Sequence, residues 1–237
     1  MDMIGRKNKN MNKKKTIIYG NGAMAKVLYD YMKSSFDIVA FCVDKICIKE
    51  KTFCNLPLVD FEKVEKVFDV RKHNMINSIG FIDMNDLRKN KINQAKEKGY
   101  EIISYIDKTV KIRSDVFIDK GCIILDFVSI HPGVKIGEGT FISSNVNIGH
   151  DCIIGKYNWI NSGVSIAGNT TIGNSCFLGV NSSIGNDVKI GNQNFIAANA
   201  HVSKNTLDNQ TYLTQNAKLI KLKSKNFIKF ANIFRGK

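Results

Sequence analysis

The stretch Val146-Asn147-Ile148-Gly149-His150-Asp151-Cys152-Ile153-Ile154-Gly155-Lys156-Tyr157-Asn158-Trp159-Ile160 decides the fold, because its aliphatics at 148, 154 and 160 fall six residues apart. Carried outward, the spacing holds without a slip from Ile106 to Val202, through Ile112, Ile118, Ile124, Ile130, Ile136, Ile142, Ile166, Ile172, Leu178, Ile184, Ile190 and Ile196. Two residues before most of these stands a small or branched side chain, such as Val128, Val134, Thr140, Cys152, Val164 or Cys176. One residue after stands glycine at 137, 149, 155, 173, 179, 185 and 191. A period of six matches neither an amphipathic helix nor an alternating strand. It predicts a solenoid in which each hexapeptide is one short strand and a turn, with the aliphatic pointing inward. Three sides close a coil of about 18 residues, and coils stack at about 4.8 Å. One side alone buries almost nothing, so the coil is stable only through its neighbours. The glycines are expected to supply turn angles that side chains disfavour. The interior is expected to hold no polar groups, which puts chemistry on the outside.

The chain has 237 residues, 43% of them hydrophobic, enough for one large or two modest domains. It contains no apolar run long enough to span a bilayer, and Met1 to Lys15 does not read as a signal peptide, so a cytoplasmic protein is expected. Cys122, Cys152 and Cys176 occupy small inward positions, and no Cys-x-x-Cys pair occurs, so reduced structural thiols are expected. The formal charge of +14 is concentrated at Lys7–Lys15, Arg71–Lys98 and Lys218–Lys237. No basic stripe interleaved with aromatics accompanies it, which argues against nucleic acid as a partner.

Residues 1–14 read as a disordered basic leader. Thr16–Tyr19 reads as a strand, Gly20-Asn21-Gly22-Ala23-Met24-Ala25 as a Gly-rich turn into a helix reaching Lys33, and Asp37–Val43 as a second strand ending at Asp44. This opens a βαβ unit. Residues 15–105 are short for a full dinucleotide fold, so a single nucleotide portion held at a helix N-terminus is the better expectation. A polar helix around Phe61–Phe68, a buried strand Met75–Gly80, a helix Asn85–Lys98 and a strand Tyr100–Ile106 complete a small parallel α/β domain. The coil is expected over 106–205. Thr206–Gln215 reads as a loop and Ala217–Phe234 as a helix, expected to cap the end of the coil, with a membrane-surface helix as the alternative.

His150 falls two residues past an aliphatic, on an outward turn, with Asp151 beside it to fix its tautomer. One coil later comes Gly168, whose N–H would be left bare beside the imidazole and could hold a developing oxyanion. A zinc site shared by His131, His150 and His201 is set aside, because these lie too many coils apart within one chain.

The segments His150-Asp151-Cys152-Ile153-Ile154-Gly155 and Gly163-Val164-Ser165-Ile166-Ala167-Gly168-Asn169, continuing through Ile172-Gly173-Asn174 to Gly179-Val180-Asn181-Ser182, closely resemble the bacterial sugar O/N-acyltransferases of the hexapeptide type. These include the sialic-acid O-acetyltransferases and the bacillosamine-precursor N-acetyltransferases. The resemblance extends to Ile17-Ile18-Tyr19-Gly20, nearly the whole chain. It implies a left-handed β-helix, a homotrimer with sites between subunits, and acetyl-CoA as co-substrate with no metal. It further implies His150 as base supported by Asp151, and acetyl-CoA contacts at Trp159, Gly168, Val180 and Ala198. A nucleotide sugar would be held by Gly22, Ala23, Met24, Asp44, Lys45 and Gly80. Trp159 stands where family members often carry histidine, and Asn21-Gly22-Ala23-Met24-Ala25 departs from the family's Gly-x-Ser-Gly-His-Gly turn.

The activity so implied is N-acetylation of a nucleotide-linked amino sugar for surface glycan synthesis. O-acetylation of a sugar and a non-catalytic scaffold that binds sugar nucleotides are the alternatives.

Overall fold

A computed structural model describes residues 14–113 and 115–233. The basic leader before residue 14 and the last residues of the expected C-terminal helix lie outside the described residues.

The first domain is a sheet of β1 (Lys15–Tyr19), β2 (Ile38–Val43), β3 (Thr52–Phe53), β4 (Leu56–Asp60), β5 (His73–Asn77) and β6 (Glu101–Ile102) in the order β3-β4-β2-β1-β5-β6. All neighbours are parallel except the β3–β4 hairpin. Helices α1 (Ala23–Met32), α2 (Val64–Val67) and α3 (Asp86–Glu97) complete it. In the central strand β1 the neighbours Ile17 and Ile18, which point to opposite faces, are both fully buried, as a strand covered on both faces requires. From β1 the chain winds outward to β2 and β4, then returns to the other side of β1 for β5 and β6. The crevice beyond the carboxyl ends of β1 and β5 is therefore the switch point at which such sheets bind ligands. The polar helix expected at 61–68 is a 3-10 turn, Phe61–Lys63, followed by the single turn of α2.

The strand expected over Tyr100–Ile106 is two strands. β6 ends at Ile102, and Tyr105–Ile106 already pairs with Ile123–Ile124 as the first rung of the coil. From there the register repeats at 18 residues, Ile148 facing Ile166 and Ile154 facing Ile172, with 166 − 148 = 172 − 154 = 18. Three parallel sheets result. The docking face runs from Tyr105–Ile106 through Phe141–Ile142, Trp159–Ile160 and Phe177–Leu178 to Phe195–Ile196. The serine face carries Ser129, Asn147, Ser165, Ser183 and His201 outward, and the third face Phe117, Lys135, Ile153, Thr171 and Lys189. Inside, the six-residue aliphatics form one column-shaped core in which Ile142, Ile148, Ile160, Ile166 and Ile172 are fully buried. Beyond Val202, where the period ends, Thr211–Tyr212 still adds a rung, pairing with Phe195–Ile196 inside the expected loop.

Three expectations about the coil are corrected. The glycines after the aliphatics do not take the left-handed angles. Those go to residues two places further on: Asn145 (φ 60), Asp151 (φ 57) and Asn169 (φ 56), which tolerate that region, glycine at 133, 139 and 163, and also Phe127, Tyr157, Ser175 and Gln193. Glycine follows the aliphatic because successive coils touch there. A Cβ on Gly179 would meet Ala198 N at 2.4 Å, and one on Gly149 would meet Gly168 N at 2.6 Å. The interior is also not free of polar groups. Thr140, Asn158, Thr170, Ser182 and Asn194 are buried at the small inward positions. Asn158 Nδ2 donates to the carbonyls of Gly155 and Gly173 at 2.9 Å each, so the corner carbonyls are satisfied from within. Finally, the C-terminal helix does not cap the coil. α4 (Ser224–Ile233) follows a segment in which residues 213–229 are all exposed.

The first domain sits on the docking face. Tyr105, Ile123, Leu125, Phe141 and Trp159 share one apolar cluster with Leu28, Met32, Phe41 and Ile76. Its polar clasp is Arg88 of α3, which is 2% exposed. Arg88 donates to the carbonyls of Gly139 and Tyr157 at 2.7 and 2.8 Å, to Asn158 O at 3.1 Å and to Asn85 Oδ1 at 2.8 Å. Burial with no carboxylate beside it lowers the guanidinium to about 9. No helix among the described residues is long and apolar enough to cross a membrane.

Candidate active site

Ile148 ends a serine-face strand and Ile153 begins a third-face strand, so Gly149-His150-Asp151-Cys152 is the turn at the coil edge opposite the docking face. Asp151 takes the left-handed angle that reverses the chain, and its N–H donates to Pro132 O of the coil below at 2.9 Å. The carboxylate thereby swings back to its neighbour, with Asp151 Oδ2 2.9 Å from His150 Nδ1. Both side chains are open to solvent, at 57% and 64% exposure. With Nδ1–H given to the carboxylate, the neutral ring keeps Nε2 as an acceptor, the state a general base needs.

Gly168 lies against that ring. A Cβ there would stand 2.5 Å from His150 Nε2 and 2.8 Å from Cε1, so any side chain at 168 would push the ring from this position. The Asn169 N–H donates to His150 O at 2.9 Å, which joins the two turns. Among the described residues nothing accepts a hydrogen bond from the Gly168 N–H. An imidazole acceptor and a spare backbone donor thus meet at one edge, and such a pair can take a proton while stabilising an oxyanion.

Cys152, next along the chain, points inward. It is fully buried, burial raises its thiol above the ordinary range, and Sγ donates to Ala167 O at 3.1 Å. It belongs to the core and not to the site. Val180 (46% exposed) and Ala198 stack one above the other at the other edge of the serine face, 18 residues apart. The outward side chains of that face, Ser165 and Ser183 among them, are small, and Ser183 Oγ meets His201 Nδ1 at 2.8 Å.

Trp159 is not on this surface. It lies on the docking face, 7% exposed and stacked on Phe141 at 3.9 Å between centroids, with Arg88 over its ring at 5.4 Å and its Nε1–H given to Asn161 Oδ1. Its indole is spent on joining the two domains, so the structure does not present it to a co-substrate at the His150 edge. The tip of the ring reaches the first domain's loop instead, where a Cβ on Gly80 would lie 4.0 Å from Trp159 Cη2.

The other residues singled out in the first domain gather at the carboxyl ends of its strands. Gly20 (φ +128) takes the sharp turn after β1, leaving room for Ser78 Oγ, which donates to Tyr19 O at 2.7 Å. Gly22 precedes α1 with no side-chain cap and with open space around it, and Ala23 is exposed. Met24 turns partly into the core. Asp44, at the end of β2, accepts from Tyr19 Oη at 3.0 Å and from Lys91 Nζ at 2.7 Å. With Lys45, Phe61, Glu62 and Lys98 it lines an open cleft of about 1080 Å³. From the sequence Tyr19 and Phe61 read only as parts of a strand and a helix, and Lys91 is not singled out at all. Lys91 is one lysine among many on α3, and only the fold brings it to Asp44. Among the described residues no group of three His, Cys, Asp or Glu side chains could hold a metal ion.

A family model described as bacterial transferase hexapeptide (six repeats) matches residues 109–144 and 169–204. These two segments of the coil are bacterial transferase hexapeptide repeats. Solved structures share the whole arrangement of domain and hexapeptide coil. A histidine-to-asparagine mutant of perosamine N-acetyltransferase from Caulobacter crescentus, in complex with CoA and GDP-perosamine, is 20% identical over 83% of this chain and 92% of that one, with TM-score 0.76. The acetyltransferase domain of PglB from Neisseria gonorrhoeae, in complex with acetyl coenzyme A, is 16% identical over 84% and 95%, with TM-score 0.75. WeeI from Acinetobacter baumannii is 19% identical over 84% and 95%, with TM-score 0.74. No curated protein sequence matches the chain. The hexapeptide coil is accordingly a left-handed parallel β-helix carrying an α/β domain before it and a helix after it.

Proposed function

We propose that this protein transfers an acetyl group from acetyl-CoA to the amino group of a nucleotide-linked amino sugar. The observation that carries the reading is the fit of the His150 ring onto Gly168, with Nδ1 tied to Asp151 and Nε2 the ring atom nearest Gly168. Two of the structural relatives are acetyltransferases, one in complex with CoA and GDP-perosamine and one with acetyl coenzyme A, which supports the class of reaction.

In the mechanism His150 Nε2 removes a proton from the neutral amine as its lone pair attacks the thioester carbonyl. Asp151 orients the ring and stabilises the imidazolium that forms. The Gly168 N–H donates to the carbonyl oxygen as it becomes an oxyanion. The tetrahedral adduct collapses with cleavage of the C–S bond, and the imidazolium returns its proton to the departing thiolate. Amide and free CoA leave, and no acyl-enzyme forms.

The nucleotide portion would occupy the crevice beyond β1, β2 and β5. The uncapped N-terminus of α1 at Gly22 and Ala23 would receive phosphate, and Asp44 and Lys45 would line the nucleoside end, with Met24 and Gly80 beside them. Val180 and Ala198 would flank the pantetheine arm where it crosses the small side chains of the serine face. Gly80 stands over the docking face, whereas His150 stands at the opposite edge of the same coil, and one side of the triangle spans on the order of 15–20 Å. A sugar on the first domain is therefore delivered to the imidazole of a second copy, which supports a homotrimer with its sites between subunits.

The test is thiol release from acetyl-CoA across a panel of nucleotide-linked amino sugars. We expect at least one amino sugar to be turned over and His150→Ala to lose 10²- to 10⁴-fold in kcat with an unchanged melting curve. Equal turnover by His150→Ala removes the proposed base.

A further inference from the structure

Beyond the last rung the chain leaves the coil, and residues 213–229 are all exposed. Thr214 Oγ1 donates to Ala198 O at 3.0 Å, and after it the hydrogen bonds among the described residues are local, such as Phe227 N–H to Lys223 O. The apolar side chains here face solvent: Leu219 is 88% exposed, Ile220 61%, Phe227 45% and Ile228 57%. After Asp208 the sequence has no acidic residue, while Lys218, Lys221, Lys223, Lys225 and Lys229 recur. At helical spacing along α4, Phe227 and Ile228 fall on one side and Lys225 and Lys229 on the other.

We propose that this segment is an interfacial anchor that lays its apolar side into the surface of an anionic lipid bilayer. A short cationic helix with aromatic and aliphatic residues opposite its lysines gains both from burying apolar area at the headgroup boundary and from attraction to acidic headgroups. The alternative occupants fit less well. A second copy of this chain carries the same formal charge of +14, which opposes docking of a lysine-rich segment. A nucleic acid would use the lysines and leave the phenylalanine side exposed. The proposal is independent of the acetyl-transfer reading, since no residue of the segment belongs to that site.

The experiment is flotation of the full-length protein with vesicles of phosphatidylcholine alone or mixed with phosphatidylglycerol. The protein should float with the mixed vesicles and not with phosphatidylcholine alone. Lys221→Gln/Lys223→Gln/Lys225→Gln/Lys229→Gln should lower partitioning by roughly tenfold or more. Phe227→Ser/Ile228→Ser, which leaves the charge unchanged, should lower it by about tenfold. Both variants change exposed residues, so their melting curves and lipid-free acetyl transfer should match the parent. Absence of flotation overturns the proposal, and so does an unaltered partition of Phe227→Ser/Ile228→Ser, which would mean charge adsorption alone. Loss of oligomer by that variant in sedimentation would assign the helix to a second copy. Duplex DNA binding that follows the lysines alone would assign it to nucleic acid.

Discussion

A Cβ on Gly133 would stand 2.2 Å from Oδ1 of Asp151, one coil above. Gly133 holds φ +76, where a side chain is strained as well as obstructive. The carboxylate that meets His150 Nδ1 thus rests on a bare backbone. Gly133→Ala should push Asp151 away and lower kcat about tenfold or more, with KM for both substrates unchanged. In an Asp151→Ala background the same substitution should cost nothing further, a coupling that only a role through Asp151 produces. Gly121→Ala, at a similar φ of +71, is the control for backbone strain and should leave kcat alone. Steady-state kinetics on the four-member cycle decide it.

Gly168→Ala tests the other side of the ring. The added methyl would occupy the space of His150 Nε2, and the backbone at Gly168 is not left-handed, so the fold should tolerate it better than the site does. Thiol release should fall by about 10²- to 10³-fold. A variant as active as the parent would show that the imidazole does not work from this position.

Arg88→Lys should loosen the junction between the domains. A lysine keeps the buried charge but cannot reach the carbonyls of Gly139, Tyr157 and Asn158 together. Unfolding by denaturant should show a loss of about 2–4 kcal/mol. A change under about 0.5 kcal/mol would mean that the clasp contributes little.

Thiol titration reads the interior of the coil. Cys47 is exposed and Cys54 partly so, whereas Cys42, Cys122, Cys152 and Cys176 are buried. Burial pushes Cys122 up to about 12 and Cys176 to about 11, which leaves almost no thiolate at neutral pH. Cys47 should react first, Cys54 more slowly, and the other four only on unfolding. Rapid labelling of Cys152 in the native protein would contradict its inward orientation.

The coil was legible because a period of six repeated from Ile106 to Val202 leaves one architecture, and Ile148 does face Ile166. The His150 and Gly168 pair followed from the same period, since residues one coil apart must meet. Positions set by the other domain were not legible in this way. Trp159 was assigned by its place in a motif, but its contacts depend on Phe141 in the coil below and on Arg88 of α3, 71 positions earlier in the chain. The role of the glycines was misread because φ is not written in composition. Crowding by the neighbouring coil selects glycine at 149 and 179, while the turning falls two places later, to Asn and Asp at 145, 151 and 169 and to glycine at 133, 139 and 163. The C-terminal segment was misjudged because amphipathic spacing says that a face will be covered without saying by what.

Trp159 is the chain's only tryptophan, and it lies where the domain meets the coil. The molecule therefore carries an intrinsic optical gauge of that seam. Its emission should stay blue while the seam is shut and shift to the red when water enters. A nucleotide sugar settling near Gly80 could then be followed by fluorescence alone, with no label attached.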